Sequence, residues 1–575
     1  MGVFNNKNKT IPYCVCLKLN HKDFDFWCSD KIITKFLKEI SLNSEGGFVE
    51  IYSHNMDFEG LAILDAIQDD KIFFDMFVRD SSVYWIKIFF LKITILIRSS
   101  YKIIPLSLNK LKYLLNIKDS FFFPQFGNLQ FFENYPDNLK KFAISGCKSD
   151  LEIIHTVLSH ILDIIQLNCQ KRKIIQNSFS FSSISYKIYI NFFDKWGISS
   201  NKNNSFVHNF IKNAYYGGRC EVFGNPTSDR KIHYFDYKGM YAQCMYEKFP
   251  TGVPVFTVKN LNVNNIGFHT IKYKCDNLLP FLPYKYPKLI FPNGTVLGTF
   301  WYEEIINATT YGRCEILEHH NSLIYENEAF VFKEFSENFM KIRENGPYYN
   351  IFGKNMINGL YGSFALNDEN FFYVICLSTT EFDLYTETLD IKSWKKIGQY
   401  FIIAVEKNKK SAKLFDKNKK WNLGYQKRNL AYAAIISSKA RIKLNNSLNL
   451  VLKDGGDLYY ADTDSIFAGY PSNKINQTIG DVTWNKIFDD GVFITNKIYF
   501  LKNQNAGIDK IENPTFSYNF DTIKKNFYSE IGDWKNDENS EFIKLINEKT
   551  SKINIYDRRV FSKDKKSTVP IFIQT

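Results

Sequence analysis

Asp462 and Asp464 stand two residues apart inside Leu458-Tyr459-Tyr460-Ala461-Asp462-Thr463-Asp464-Ser465-Ile466-Phe467. Apolar and aromatic residues flank a short polar turn, the pattern of strand, tight turn and strand. Asp457 and the Gly455-Gly456 pair supply a turn just ahead of it. At that spacing both carboxylates lean towards one edge of the hairpin. Two carboxylates held so close repel each other unless a cation sits between them. Hard oxygen ligands suit Mg²⁺ or Mn²⁺ rather than zinc. A solvated β-turn would use the same residue types.

Other residues extend this chemistry. Asp236 lies near the end of an expected strand, Ile232 to Tyr237, where a carboxylate is expensive unless paired or metal-bound. A helix is expected from about Met240 to Pro250. Lys354, Asn358 and Tyr361 fall at i, i+4 and i+7 of a helix expected over Tyr349 to Tyr361 and closed by Gly362, so they share one face. A cation, an amide and a ring could hold a triphosphate, a sugar and a base; an ordinary polar face is the alternative. In Tyr215-Tyr216-Gly217-Gly218-Arg219 the paired glycines allow close backbone approach. Tyr215 and Arg219 could touch a phosphate there, or the stretch could be a plain hairpin turn.

The elements that must position these residues can be read in order. Strands are expected at Ile11 to Leu19 and Phe48 to Ser53. A loop, His54 to Gly60, leads into an apolar helix near Leu61. Leu106 to Asn116 and Asp150 to Leu167 read as helices, the second with Ile153, Val157 and Ile161 on its buried side. Residues 168–205 read as a connector. A helix is expected over Val331 to Arg343, broken at Gly346-Pro347. Residues 366–425 read as strands with a lysine-rich turn, Lys407 to Lys410 and then Lys417 to Lys420, and Leu430 to Leu448 as a long helix into the hairpin. Lys497-Ile498-Tyr499 falls in a strand, and the last 75 residues read as partly helical.

At 575 residues the chain has room for several domains, and 45% hydrophobic with 17% aromatic content excludes global disorder. A net charge of +13 suits a polyanionic partner. The heavy use of Phe, Tyr, Lys, Asn and Ile fits an AT-rich coding sequence equally well. Ten scattered Cys form no CxxC pair and no zinc spacing, and read as reduced buried thiols of an intracellular protein. No secretory signal or repeat stands out. Val83 to Ile97 reads as paired strands, since Lys87 and Lys92 interrupt a membrane span.

Five of these stretches, in one order, resemble the motifs of family B DNA polymerases. Asp236-Tyr237-Lys238-Gly239-Met240-Tyr241 resembles the first polymerase motif, Lys354 to Gly362 the second (KxxxNSxYG), and Tyr460 to Ser465 the third (YxDTDS). Tyr215-x-Gly217-Gly218 is similar to YxGG, and Lys497-x-Tyr499 to KxY. Gly239 and Gly359 stand where the family usually has Ser, and Ala242-Gln243 replaces the usual Pro. Lys354 follows Asp236 by 118 positions and Asp462 follows Tyr361 by 101, room for the two inserts of the protein-primed subgroup. The chain therefore resembles polymerases of linear mitochondrial plasmids and related phages.

The resemblance implies an α/β multidomain chain. A degenerate RNase H-like 3′-5′ exonuclease domain (1–167) and a connector (168–205) would precede a right-hand polymerase domain (206–575). In that domain the palm covers about 206–255 and 426–500, insert 1 256–335, fingers 336–365, insert 2 366–425 and thumb 501–575. It implies two Mg²⁺ (or Mn²⁺) ions on Asp236, Asp464 and the Tyr237 carbonyl, with Asp462 assisting. Such ions sit roughly 3.5–4 Å apart and stabilise the attacking and leaving oxygens. Lys354 and Arg343 would neutralise the triphosphate. Tyr241 would exclude a ribose 2′-hydroxyl, and Asn358 and Tyr361 would pack on the nascent pair. Tyr215, Gly217, Gly218, Arg219, Thr463, Lys497 and Tyr499 would contact DNA. The implied partners are primer-template DNA, dNTPs and a terminal-protein primer, for a mitochondrial monomer with no membrane contact.

The same resemblance implies a weakened exonuclease. The family's first motif, DxE, should lie just before Ile11, yet no acidic residue precedes Asp23. Glu59 stands where the family has Asp after Asn55-x-x-Phe58, and Gly146 replaces the Tyr that should precede Asp150. Tyr52, His54, Asn55, Phe58 and Ser100 match the lining of the single-strand cleft. Two rival readings remain open at this level. An RNA-templated polymerase would carry adjacent carboxylates (YxDD), which Thr463 separates here. A catalytically decayed nucleic-acid-binding relic of a selfish element would have no reason to keep all three aspartates.

Overall fold

A computed structural model describes residues 2–6, 9–19, 22–27, 31–44, 47–79, 82–116, 137–169, 178, 180–198, 205–226, 230–259, 261–366, 371–415, 429–470, 478–479, 482–503, 507–508, 558–562 and 566–574. They fall into two compact units. The first holds Met1–Phe192, Lys341–Leu360 and Asn367–Gln426; the second holds Phe193–Met340, Tyr361–Leu366 and Lys427–Thr575.

In the first unit, Phe48–Ser53 pairs in parallel with Ile93–Ser99, Ser53 opposite Ser99. Ser82–Phe90 and Phe73–Arg79 extend that sheet antiparallel. The run Val83 to Ile97 is thus two paired strands, and no helix among the described residues is long and apolar enough to cross a membrane. Helices Ile32–Asn43 and Glu59–Asp69 bury Leu37, Ile40, Leu64 and Ile67 against Ile86, Ile95 and Ile97. A three-stranded sheet, Gly2–Asn6, Lys9–Leu19 and Lys22–Trp27, completes this end of the chain. Helix Asp137–Cys169 begins a dozen residues before the expected Asp150. Part of the range read as a connector is a helix, Phe181–Phe192, with Ile184 and Tyr189 buried.

The range 366–425 is less strand-like than its sequence suggests. Strands Phe371–Cys376, Tyr400–Glu406 and Ile391–Ile397 are joined by helix Thr379–Thr388, which Ser378 caps at the Glu381 N–H. The first expected lysine turn opens a second helix, Lys409–Phe415. The second lysine group, 417–420, lies outside the described residues.

The second unit is built on a six-stranded sheet. Its order is Thr478–Ile479, Val482–Phe488, Ile232–Asp236, Ser465–Gly469, Asp457–Asp462 and Cys220–Val222. Tyr460, Phe467, Phe493 and Tyr499 pack on it as an aromatic core. A five-stranded sheet contains Gly267–Cys275, Asn293–Trp301 and Cys314–Ile324. Helix Leu430–Lys453 opens with the apolar run Leu430 to Ile436 and is buried continuously from Leu430 to Arg441.

Several boundaries differ from expectation. The helix after Asp236 is only Met240–Met245, and Pro250 lies in the following strand, Phe249–Thr251. The helix expected over 349–361 runs Pro347–Phe364. Pro347 opens it, as a residue without an N–H does well, and Gly362 lies inside it rather than closing it. Lys497 sits in the turn before strand Ile498–Asn503. Most of the last 75 residues lie outside the described set, and the described ones are strands.

Candidate active site

The hairpin forms where the sequence places it. Asp462 pairs with Ser465, and Ser465 pairs in turn with Asp236 on the neighbouring strand. Thr463 makes the turn at φ +57. The Tyr237 N–H donates to the Asp464 carbonyl at 2.9 Å, so Asp236 and Asp464 end adjacent strands. Tyr237 is fixed by its hydroxyl, which bonds the Lys443 carbonyl at 2.9 Å and Ser447 Oγ at 2.8 Å. Its carbonyl accepts the Gly239 N–H at 2.8 Å, and Gly239 takes φ +76, a backbone state that favours glycine over the family's serine.

Tyr234, one strand position pair before Asp236, reports the local field. Burial first, then the charges of Asp236 and Asp464, push its hydroxyl pKa up. Two half-buried carboxylates at one sheet end fit a hard divalent cation. Asp462 is turned elsewhere. It accepts from Thr463 Oγ1 at 3.1 Å and Tyr460 Oη at 3.3 Å, and it forms an ion pair with Lys497. The oxygens of the three aspartates do not all lie within 4.8 Å of one another.

Tyr241 stacks on Tyr361, with ring centroids 4.4 Å apart. Burial first, then Tyr361, then Asp464 push the Tyr241 hydroxyl up, so this ring pair lies within the field of the carboxylates. Tyr361 is further held by Ser437 Oγ at 2.9 Å and by the Tyr215 hydroxyl.

The glycine pair meets the hairpin directly. A Cβ on Gly218 would lie 2.8 Å from Thr463 Oγ1, and the Thr463 N–H donates to the Arg219 carbonyl at 2.7 Å. Arg219 itself is a correction: it is fully buried rather than facing a phosphate. Its guanidinium pairs with Glu221 at 2.7 Å and donates to the Pro280 carbonyl and Asn445 Oδ1, both at 2.8 Å. A fully buried cation paired with a buried carboxylate is out of reach of a phosphate. Tyr499 also differs, with its ring inside the aromatic core.

Sequence reasoning missed Arg441 and Glu304. Arg441 forms a buried two-point ion pair with Glu304 and donates to the carbonyls of Tyr216 and Gly217 at 2.7 and 3.0 Å. It therefore shapes the loop carrying Tyr215. The available signal was Lys439 and Arg441 shortly after the apolar run Leu430 to Ile436, since a charge buried in such a helix requires a partner.

The part of helix Pro347–Phe364 that belongs to the first unit carries Lys354, which is exposed, and Asn358, which is half-buried. Arg343 donates to Asn350 Oδ1 at 3.2–3.3 Å. Gly359 stands where the family has Ser because a Cβ would come within 3.2 Å of Ser182 Cα. Ser185 secures that contact by bonding the Met356 carbonyl at 2.5 Å.

Glu59 accepts from Ser53 Oγ and, at 3.2 Å, from the Asn55 N–H, so it folds back on its own loop. Asp150 pairs with Lys112 at 3.4 Å. Tyr52 bonds Glu50, while Asn55 and Phe58 are exposed. Ser100, expected in a cleft lining, is instead wholly buried against His54 Nδ1 at 3.0 Å.

Residues 127–448, more than half of the chain, match the family model of DNA polymerase type B, organellar and viral. A probable DNA polymerase of Neurospora intermedia is 25% identical over 541 residues, covering 80% of this chain and 52% of the relative. One of Ascobolus immersus is 24% identical over 566 residues, covering 86% of this chain and 44% of the relative. The chain thus spans about half the length of these relatives. Phi29 DNA polymerase in complex with primer-template DNA and incoming nucleotides superposes with a TM-score of 0.62 at 15% identity, over 85% of this chain and 84% of that one. Phi29 DNA polymerase in an orthorhombic crystal form gives 0.64 at 15%, over 88% of both chains, and shows the shared fold. The chain belongs to the organellar and viral type B DNA polymerases.

Proposed function

We propose that this chain is a DNA-directed DNA polymerase that adds deoxynucleotides to a 3′-hydroxyl. The carrying observation is the pairing of strand ends that sets Asp236 beside Asp464, with Tyr241 and Tyr361 within the same field. Asp236, Asp464 and the Tyr237 carbonyl would hold two divalent ions, Mg²⁺ or Mn²⁺, which supply charge neutralisation at the attacking and leaving oxygens. Tyr241 serves as a floor for the sugar and leaves no room for a 2′-hydroxyl. Tyr361 braces Tyr241 by stacking. Lys354 and Arg343 offer cations to the triphosphate, and Asn358 an amide to the nascent pair. Lys497 and Thr463 reach the primer strand, Gly217 lets the template approach the backbone, and Gly218 seats Thr463.

Priming by a protein hydroxyl, a clamp role for insert 2, a monomeric state and a mitochondrial location complete the proposal. The room for two inserts between the motifs motivates the priming and clamp parts, and the resemblance to polymerases of linear mitochondrial plasmids motivates the location. The domain bounds are proposed as read: exonuclease-like 1–167, connector 168–205, polymerase 206–575.

Primer extension with the purified chain tests the core of it. Extension is expected on a DNA template and not on RNA. Asp464→Ala should lower incorporation by at least about 10²–10³-fold. Near-normal incorporation by that variant sinks the assignment. An inactive wild type that still binds primer-template would favour the decayed nucleic-acid-binding relic. Transfer of a labelled nucleotide to a protein hydroxyl in the absence of an oligonucleotide primer tests protein priming.

A further inference from the structure

Cys14 and Cys16 are two apart in strand Lys9–Leu19, so their side chains leave the same face. Cys147 comes from helix Asp137–Cys169. The three sulfurs lie within 4.8 Å of one another, the only such group of three His, Cys, Asp or Glu among the described residues. They are 0%, 8% and 4% exposed. Trp27, Ala143, Ile144 and Leu151 surround them. No sequence spacing announces this site, because 131 positions separate Cys16 from Cys147.

We propose that Cys14, Cys16 and Cys147 form a three-thiolate site for a thiophilic d¹⁰ metal ion, of the Cu⁺ or Zn²⁺ class. Three soft donors with no hard oxygen in the cluster select such ions. Metal–sulfur bonds of about 2.3 Å around one ion set the sulfurs about 3.8–4.0 Å apart, within reach of small side-chain movements. A disulfide fits less well. Same-face strand neighbours are about 6.6 Å apart, with parallel Cβ bonds, whereas a disulfide needs its Cβ atoms about 3.5–4.5 Å apart. Hydrogen bonding on both edges of the strand, Cys14 opposite Gly2 and opposite Trp27, resists the distortion. A bond from Cys147 to either cysteine would strand the third sulfur.

The charge balance is explicit. Three thiols and M²⁺ give an anionic M(SR)₃ centre and three released protons; Cu⁺ gives a centre of charge −2 and the same three protons. Lys148, paired to Asp25 at 3.0 Å, lies near enough to feel a charge on Cys16 and partly offsets the anion. An occupied site would join the strand to the helix that also carries Asp150.

The test uses the full chain, reduced and desalted without oxygen. Titration with Cd²⁺ should raise a sulfur-to-metal charge-transfer band that saturates at one equivalent. Cu⁺ and Zn²⁺ arms, each against a coloured chelator, rank the two ions. Native mass spectrometry should show one ion added less the displaced protons. Cys14→Ser and Cys147→Ser should weaken binding at least 100-fold, and Cys376→Ser should not. If the serine variants do not fold, alkylation mapping of the wild type replaces them: bound metal should slow modification of these three cysteines alone. No binding by the wild type, or binding unchanged in Cys14→Ser and Cys147→Ser, overturns the proposal. So does a Cys147 disulfide formed in air, if the reduced protein takes up no metal.

Discussion

Tyr241 lies flat against Tyr361, with centroids 4.4 Å apart and planes 22° apart, so neither ring can shift alone. The proposed sugar floor is therefore braced from helix Pro347–Phe364, and Ser437 and Tyr215 fix the brace. Tyr241→Val should raise ribonucleotide over deoxyribonucleotide use by about tenfold or more, equivalent to about 1.4 kcal/mol of lost discrimination. Tyr361→Phe keeps the stack and loses only the hydroxyl bonds, so its ratio should change much less. Single-nucleotide kinetics with both sugars measure this. An unchanged ratio in Tyr241→Val assigns sugar selection to another residue.

Asp462 and Lys497 form an ion pair next to the hairpin turn. Lys497 is half exposed there, and its N–H donates to Tyr460 Oη at 2.9 Å from a backbone at φ +68. On the proposed activity this lysine exchanges Asp462 for a primer phosphate. Lys497→Ala should then weaken primer-template binding and lower the slope of log affinity against log salt by about 0.9, one phosphate contact. An unaltered slope would mean that Lys497 stays on Asp462 and serves the hairpin alone.

What the sequence revealed follows the range of the forces involved. Alternation and turn chemistry act locally, so the hairpin and the strand ending at Asp236 were legible. Arg219 was misread because its partners, Glu221, Pro280 and Asn445, converge only after folding. The same holds for Cys147 meeting Cys14 and Cys16. Gly362 looked like a helix stop, yet the helix continues to Phe364. The family motif carried Lys354 and Asn358; their own pattern also fits an ordinary polar face. Gly218 and Gly359 show the reverse case, where a missing side chain marks close approach to Thr463 and Ser182.

Glu59 and Asp150 should not support proofreading. Glu59 is held by Ser53 and Asn55, and Asp150 by Lys112, so each carboxylate already has a partner. Burial pushes the Asp150 carboxyl up while Lys112 pulls it down. Incubation with Mg²⁺ and a 3′-labelled single strand should release mononucleotides no faster than an Asp150→Ala variant does. Rapid release by the wild type alone would show that the site assembles on DNA.

His269 should make the five-stranded sheet of the second unit acid-sensitive. The ring is fully buried, and burial lowers its pKa from 6.5 to about 4. Its Nε2 faces the Asn265 carbonyl at 2.8 Å, which can only accept, so Nε2 carries the proton of the neutral ring. Nδ1 is then the acceptor, 2.7 Å from Ser322 Oγ and 3.3 Å from His319 Nε2. Adding a second proton would turn Nδ1 into a donor and force Ser322 and His319 to rearrange. The folded pKa lies below the unfolded one, so the unfolded chain binds the proton more readily. Stability is therefore complete above about pH 6.5 and is lost as pH falls towards about 4. The full shift corresponds to a loss of up to about 3 kcal/mol. His319, whose pKa burial and then His320 also lower, adds to the same trend. Urea midpoints of wild type and His269→Gln between pH 7.5 and 4.5 measure it. Gln can still donate to the Asn265 carbonyl but does not titrate, so its midpoint should fall less steeply with acid. Parallel curves for the two proteins would remove His269 as the cause.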